Sequence, residues 1–244
     1  MSNSINSPHF QDILFVGCTH GDEQVGRYVF DTYSCGRNEY YQWKTIIGNP
    51  EAMMLNTRFI ETDLNRSFPG NPTGTYEERR AHQLIPHLNQ ADMVIDIHQS
   101  YSTTPDFMIV NDWTPDIEEI DHYTHFENII VLSQGVGTYS GLMQIEIPHA
   151  TAFEYGRQLD MEDARRRVQA DIESILNKKP TGIKSKHFAF WKDLPLEFKG
   201  QTEIDNFVRL TDEQRKLFGI TEENIYPTFI DGYPDKWAVL LKVI

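Results

Sequence analysis

Apolar residues gather along this chain in short unbroken runs, separated by stretches with helical spacing. Ile13 to Cys18 (ILFVGC) is a continuous apolar run of strand length, and Thr19 to Glu23 (THGDE) follows it as a loop. From Gln24 to Tyr33, Val25, Tyr28 and Val29 fall on one helix face. Thr45 to Ile47 reads as a second short strand, stopped by Gly48-Asn49-Pro50. Tyr76 to Leu88 is charged first and apolar later, and reads as a helix despite Pro86. Met93 to Ile97 (MVIDI) is a third buried strand, and Phe107 to Val110, Ile129 to Leu132 and Leu142 to Ile147 are further strands. Met161 to Leu176 is an amphipathic helix with Ala164, Val168, Ile172 and Leu176 four apart.

Apolar strands alternating with helices predict an α/β fold whose sheet is covered on both faces. After Lys178-Lys179-Pro180-Thr181-Gly182 the character changes to short aromatic segments. One short helix opens at Thr211, where Thr211 and Gln214 form a capping box, and Gly219 ends it. Trp237 to Ile244 reads as a closing strand. A boundary near residue 181 divides the chain into a larger part, 1–181, and a small β-rich part, 182–244.

Composition narrows the function. Hydrophobic residues make up 39% and charged residues 24%, so the 244-residue chain is globular rather than disordered. The net charge of −14 argues against nucleic acid as a partner. The charge is uneven: Ala81 to Gly156 holds eleven Asp and Glu and no Lys or Arg. Two cysteines, Cys18 and Cys35, are too few for a disulfide-stapled secreted chain. Met1 to Ser7 is polar with no apolar signal core, and no stretch approaches the ~20 apolar residues that span a bilayer. The expectation is a cytoplasmic protein without membrane association.

His20 and Glu23 stand three apart in the loop after the first strand, and His98 directly follows MVIDI. Open α/β sheets place their sites at the carboxyl ends of strands, where both segments fall. Two histidines and a carboxylate suit a catalytic zinc ion, which keeps a fourth position for water. His-x-x-Glu alone also recurs by chance. His122 and His125 are spaced for one helix face among acids that favour solvation; His9, His82, His87, His149 and His187 have no partners in sequence. His20-x-Asp22 with His98 also meets the two-histidine, one-carboxylate triad of non-haem Fe(II) oxygenases, but helices surround the motif here.

Arg58 to Arg66 (RFIETDLNR) is the second informative segment. The planar fork of Arg66 can grip a carboxylate, Asn65 adds an amide donor, and Arg58 can stabilise an oxyanion. A solvated loop with surface salt bridges explains the same residues. Glu154, in the apolar stretch TAFEYG, is a candidate general base because burial raises a carboxylate pKa. Glu146 competes with it, and the sequence does not rank them.

Gly17-Cys18-Thr19-His20-Gly21-Asp22-Glu23 resembles the first zinc motif of the succinylglutamate desuccinylase and aspartoacylase family, a branch of the zinc carboxypeptidase superfamily. Asn49-Pro50 with Ala52, Arg58 through Asp63-Leu64-Asn65-Arg66, Asp96-Ile97-His98 and Glu154-x-Gly156 fit in the same order. The resemblance spans about residues 13–156, and more weakly Tyr226-Pro227-x-Phe229. It implies a mixed central sheet flanked by helices, with a small β-rich C-terminal domain. It also implies one zinc ion on His20, Glu23 and His98. Arg58 would polarise the scissile carbonyl, Asn65 and Arg66 would bind the substrate carboxylate, and Glu154 would activate water. The expected activity is zinc-dependent hydrolysis of a small N-acyl amino acid.

One departure bears on the substrate. Aspartoacylase-like members hold the acidic side chain of their substrate with a further arginine between the second zinc histidine and the catalytic glutamate. Gln99 to Tyr155 contains no Lys or Arg. The expectation is a substrate with one carboxylate and a neutral or cationic remainder, unless Lys192, Lys199 or Lys236 supplies a cation. The Gly135 to Gly141 loop is a candidate pocket lining. The alternatives are a carboxypeptidase-type peptidase and a zinc-binding module without turnover.

Overall fold

The computed structural model describes residues 10–100, 104–136, 140–156 and 161–244. The chain runs β1 (Asp12–Gly17), α1 (Gln24–Thr32), β2 (Cys35–Arg37), β3 (Gln42–Ile47), α2 (Pro50–Leu55), α3 (Tyr76–Leu88), β4 (Met93–Gln99), β5 (Phe107–Val110) and α4 (Pro115–Tyr123). It continues through β6 (Asn128–Val131), α5 (Met143–Glu146), β7 (Ala150–Tyr155), α6 (Met161–Leu176), β8 (Lys186–Leu194), α7 (Asp212–Leu217), β9 (Ile225–Thr228) and β10 (Ala238–Val243). All ten strands join one mixed sheet in the order β2-β3-β1-β4-β7-β5-β6-β8-β10-β9. The chain is thus mixed α/β, with a large central sheet flanked by helices, as the apolar strands and the family resemblance predict.

Alternation along the strands sends side chains to two covered faces. On one face Ile13, Phe15, Ile95, Ile97 and Phe153 pack with Val25 and Val29 of α1 and Val168 and Ile172 of α6. On the other, Leu14, Val16 and Val94 pack with Ala81, Leu84 and Leu88 of α3 and Met143 of α5. That second face continues across the sheet as Phe107, Ile130 and Leu132 against Phe188, Phe190, Val239 and Leu241, covered by Phe207, Phe229 and Tyr233. Strands from both sides of residue 181 therefore share a sheet and a core.

β1 is parallel to β3 and β4, and β4 is parallel to β7. The carboxyl ends of these strands lie together, which is where the candidate residues fall. The chain leaves β1 through Cys18 at φ 54, a left-handed conformation that costs a non-glycine residue energy and re-aims the backbone just before His20. Gly21 lies so close to α2 that a Cβ there would stand 2.1 Å from the carbonyl carbon of Ala52, so only glycine fits.

One expectation differs from the structure. The stretch from Leu142 to Ile147 forms the short helix α5, not a strand. Its alternating apolar residues mimic strand periodicity, but the carbonyl of Leu142 accepts from both the Ile145 and Glu146 N–H groups and closes a helical turn. The edge strand β2 carries no apolar pattern to announce it. His9 and the middle of the Gly135 to Gly141 loop lie outside the described residues.

Candidate functional site

His20, Glu23 and His98 form a buried cluster whose ligand atoms all lie within 4.8 Å of one another. His20 Nδ1 is 2.6 Å from Glu23 Oε1, and His98 Nδ1 is 3.0 Å from Glu23 Oε2. The backbone N–H of Gln99 also donates to Glu23 Oε2, at 3.0 Å. The far nitrogen of each ring meets a second carboxylate: His20 Nε2 lies 3.0 Å from Asp63 Oδ1, and His98 Nε2 lies 2.7 Å from Asp96 Oδ2. Asp96 in turn accepts from the Thr19 hydroxyl at 2.7 Å. A carboxylate on the outer nitrogen fixes the tautomer and frees Nδ1 to ligate a metal.

Asp96 and His98 sit two apart on β4 and so share a sheet face. Glu154 of β7 is the register partner of His98 in a parallel pair and lines the same cavity. Asp63 is set by a tight turn: its Oδ1 accepts from the Asn65 N–H at 2.8 Å, while its Oδ2 receives Arg58 Nη2 at 3.3 Å. Arg58 Nη1 also stands 3.5 Å from Glu23. The Met143 N–H donates to Asn65 Oδ1 at 3.1 Å, which leaves the Asn65 amide NH2 as its donor.

The electrostatics follow from this crowding. Burial opposes charge on His20 and His98, yet Glu23 with Asp63, and Asp96 with Glu23, outweigh it and hold both imidazoles above the ordinary histidine value. Burial also acts to raise Glu23 and Asp63, but the histidines, and for Asp63 also Arg58, hold both well below the usual carboxylate range. For Glu154 burial prevails and lifts its pKa. Four carboxylates (Glu23, Asp63, Asp96 and Glu154) face two guanidinium groups (Arg58 and Arg66), leaving two negative charges when the histidines are neutral. A divalent cation among two Nδ1 atoms and the Glu23 carboxylate balances that excess, and the donor set is one that zinc prefers.

All seven candidate residues converge. His20, Glu23, Arg58, Asn65, Arg66 and Glu154 line a cavity of about 300 Å³, and His98 is bonded to Glu23 at its floor. Glu146 is not among its lining residues. Of the competing histidines, His125 pairs with Asp171 at 2.7 Å and His149 contacts the Leu88 carbonyl at 3.0 Å. Lys199 pairs with Asp231 and Lys236 with Asp193, while Lys192 lies over the Trp191 ring; none lines the cavity. Leu142, at the end of the Gly135 to Gly141 loop, does.

The sequence reading missed several neighbours. Asp63 and Asp96 stood in the quoted motifs without a role; an aspartate inside the apolar run MVIDI was the available signal. Phe190, Phe229 and Tyr233 close the cavity from the C-terminal segment. Of these, Phe229 stood in the weaker Tyr226-Pro227-x-Phe229 resemblance; nothing in the sequence distinguished Phe190 and Tyr233 from the other aromatic residues there.

The model of the "Succinylglutamate desuccinylase/Aspartoacylase catalytic domain" matches residues 9–128. A probable aspartoacylase of Acaryochloris marina is 31% identical over 138 residues, covering 50% of this chain and 46% of that protein. An N-acyl-aromatic-L-amino acid amidohydrolase (carboxylate-forming) of Xenopus tropicalis is 28% identical over 118 residues, 42% of this chain and 38% of that one. The matches thus span under half the length of these relatives. The crystal structure of the succinylglutamate desuccinylase from Chromobacterium violaceum superposes with a TM-score of 0.73 at 17% identity, covering 98% of this chain and 86% of that one. Murine aminoacylase 3 superposes with a TM-score of 0.71 at 17% identity over 96% of each chain. At these identities the superpositions speak for the fold.

Proposed function

For this chain, which carries the catalytic domain of the succinylglutamate desuccinylase/aspartoacylase family, we propose zinc-dependent hydrolysis of the amide bond of a small N-acyl amino acid. What carries the reading is the convergence of His20, Glu23 and His98 with Glu154, Arg58 and Arg66 on one cavity. Held by His20, Glu23 and His98, zinc would supply Lewis acidity and bring the pKa of a water at the site to about 7. Glu154, with its pKa lifted by burial, is suited to take a proton from the attacking water and pass it to the leaving amine. Arg58 donates to the carbonyl oxygen as negative charge develops there. Arg66 grips the substrate carboxylate with its planar fork, and the Asn65 NH2 adds a donor.

Two observations favour a small substrate over a peptide. The cavity lies at the lower end of the ~300–1,000 Å³ typical of small-molecule sites. Phe229, Gly232 and Tyr233 of the C-terminal segment also line it, which narrows the room for a long chain. The cytoplasm is the compartment we assign. Among the described residues no helix is long and apolar enough to cross a membrane.

The test is amine release by the zinc-loaded protein against N-acyl amino acids with acidic, neutral and basic side chains. Glu154→Gln is expected to lower kcat by roughly 10²–10⁴-fold or more while zinc content stays at one per chain. Release unaffected by Glu154→Gln would remove Glu154 from the mechanism. Release from short peptides but from no N-acyl amino acid would favour a peptidase.

A further inference from the structure

The cavity contains a polar group that the mechanism leaves idle. Gln144, in α5, is 2% exposed and lines the cavity. Among the described residues its buried Nε2 has no hydrogen-bond partner. A buried donor left without an acceptor forfeits its hydration with nothing in return, so such groups persist where a ligand or another partner completes them.

The surroundings say what would complete this one. The residue before it, Met143, donates its N–H to Asn65 Oδ1 at 3.1 Å, and the Gly141 carbonyl accepts the Phe68 N–H at 3.2 Å. These ties hold the α5 segment against the turn that carries Asn65 and Arg66. Gln144 therefore stands beside the carboxylate grip, where the α-carbon of a bound amino acid would project its side chain. Ile109, Leu132, Leu142 and Phe190 make much of the remaining wall apolar. Lysine and arginine are absent from Gln99 to Tyr155. A second substrate carboxylate there would lose its hydration with no cation beyond Arg58 and Arg66, which the reading above already engages, and with Glu154 and Asp63 on the same wall to repel it. A purely apolar side chain would leave Nε2 unpaired.

We propose that Gln144 sets side-chain specificity at this site by donating to an uncharged acceptor, so that the preferred substrate carries a neutral carbonyl-bearing side chain of the glutamine or asparagine type. This assignment rests on the deacylase reading above.

The experiment compares N-acetyl-glutamine, N-acetyl-methionine and N-acetyl-glutamate, which are close in size, in the wild type, Gln144→Met and Gln144→Glu. The expected wild-type order in kcat/KM is glutamine, methionine, glutamate. The glutamine-to-methionine ratio should fall roughly tenfold in Gln144→Met, the value of one hydrogen bond, and should fall in Gln144→Glu as well. The second variant keeps the question open to test should the first fold poorly. Binding of the same three compounds by calorimetry, in the Glu154→Gln background, reads the preference without turnover. Turnover with the same ratio in wild type and variants overturns the Gln144 assignment and leaves the deacylase reading standing. Absence of turnover with the binding ratio shifting as expected overturns the deacylase reading and keeps the assignment. Neither turnover nor binding overturns both.

Discussion

Each histidine of the candidate metal cluster carries a carboxylate on its outer nitrogen, and that pairing is a residue-scale device. Asp96 is fully buried, bonded to the Thr19 hydroxyl at 2.7 Å and to His98 at 2.7 Å. A buried carboxylate is tolerated only when its oxygens are used, and both are used here. Asp96→Asn keeps the volume but weakens the grip on the imidazole. Zinc affinity is expected to fall 10–100-fold, read by competition with a chelating dye. A dissociation constant equal to wild type would limit Asp96 to a role in folding. The candidate ligands themselves were legible in the sequence because His20, Glu23 and His98 flank apolar strands. Their orienting partners were not, because an aspartate in a strand looks alike whether it faces solvent, a salt bridge or a histidine.

At the scale of elements, one glutamate at the start of α3 positions the loop that carries the arginines. Glu77 is fully buried. It accepts from the N–H groups of Ile60 at 2.6 Å, Glu61 at 3.1 Å and Thr62 at 3.0 Å, and from the Asn49 amide at 3.0 Å. Asn49 itself caps α2 by accepting from the Ala52 N–H. A single carboxylate thus ties α3, the N-terminus of α2 and the Arg58 to Arg66 loop together. Burial pushes its pKa up, but the donated hydrogen bonds prevail and hold it below the usual glutamate value. A depressed folded-state pKa contributes stability that is present above the unfolded value of about 4.3 and is lost as pH falls through the lower folded value. Glu77→Gln is expected to cost about 2–3 kcal/mol at neutral pH, with each kcal/mol worth about 2–4 °C in Tm. The gap between wild-type and variant Tm should narrow below about pH 4. A gap constant down to pH 3 would mean that the charge of Glu77 contributes nothing. The sequence displayed α3, whose Thr75–Glu78 capping box the structure adds, but not the reach of Glu77, since its partners lie 15 to 28 residues away.

The whole molecule joins what the composition change near residue 181 divides. β8 pairs in parallel with β6, and β10 and β9 extend the same sheet. Phe188, Phe190, Val239 and Leu241 cover Phe107, Ile130 and Leu132. We propose that 1–181 and 182–244 are divided by function: the first holds the metal and catalytic groups, and the second supplies the cavity wall through Phe190, Phe229 and Tyr233. A chain truncated at residue 181 would expose the β6 edge and three aromatic or aliphatic core residues. It is expected to aggregate or melt without a cooperative transition, whereas the full chain unfolds in one, as calorimetry would show. A truncated chain that melts cooperatively would make 182–244 an independent unit.

Periodicity was enough, from the sequence alone, for the fold class and most of the elements, and strand-end placement marked His20, Glu23 and His98 as candidate ligands. These are local properties: an unbroken apolar run makes a buried strand, and a loop at its carboxyl end faces the site. Tertiary structure alone put Glu154 and not Glu146 on the cavity wall, and set the helix at Met143–Glu146, the Asp63 and Asp96 partners, and the idle amide of Gln144. Each depends on which distant segment meets which. His98 and Glu154 become neighbours only through strand register, and Asn65 captures the Met143 N–H across 78 residues of chain. Contacts of that length leave no periodic trace in the sequence, because the energy that selects them exists only once the sheet has formed.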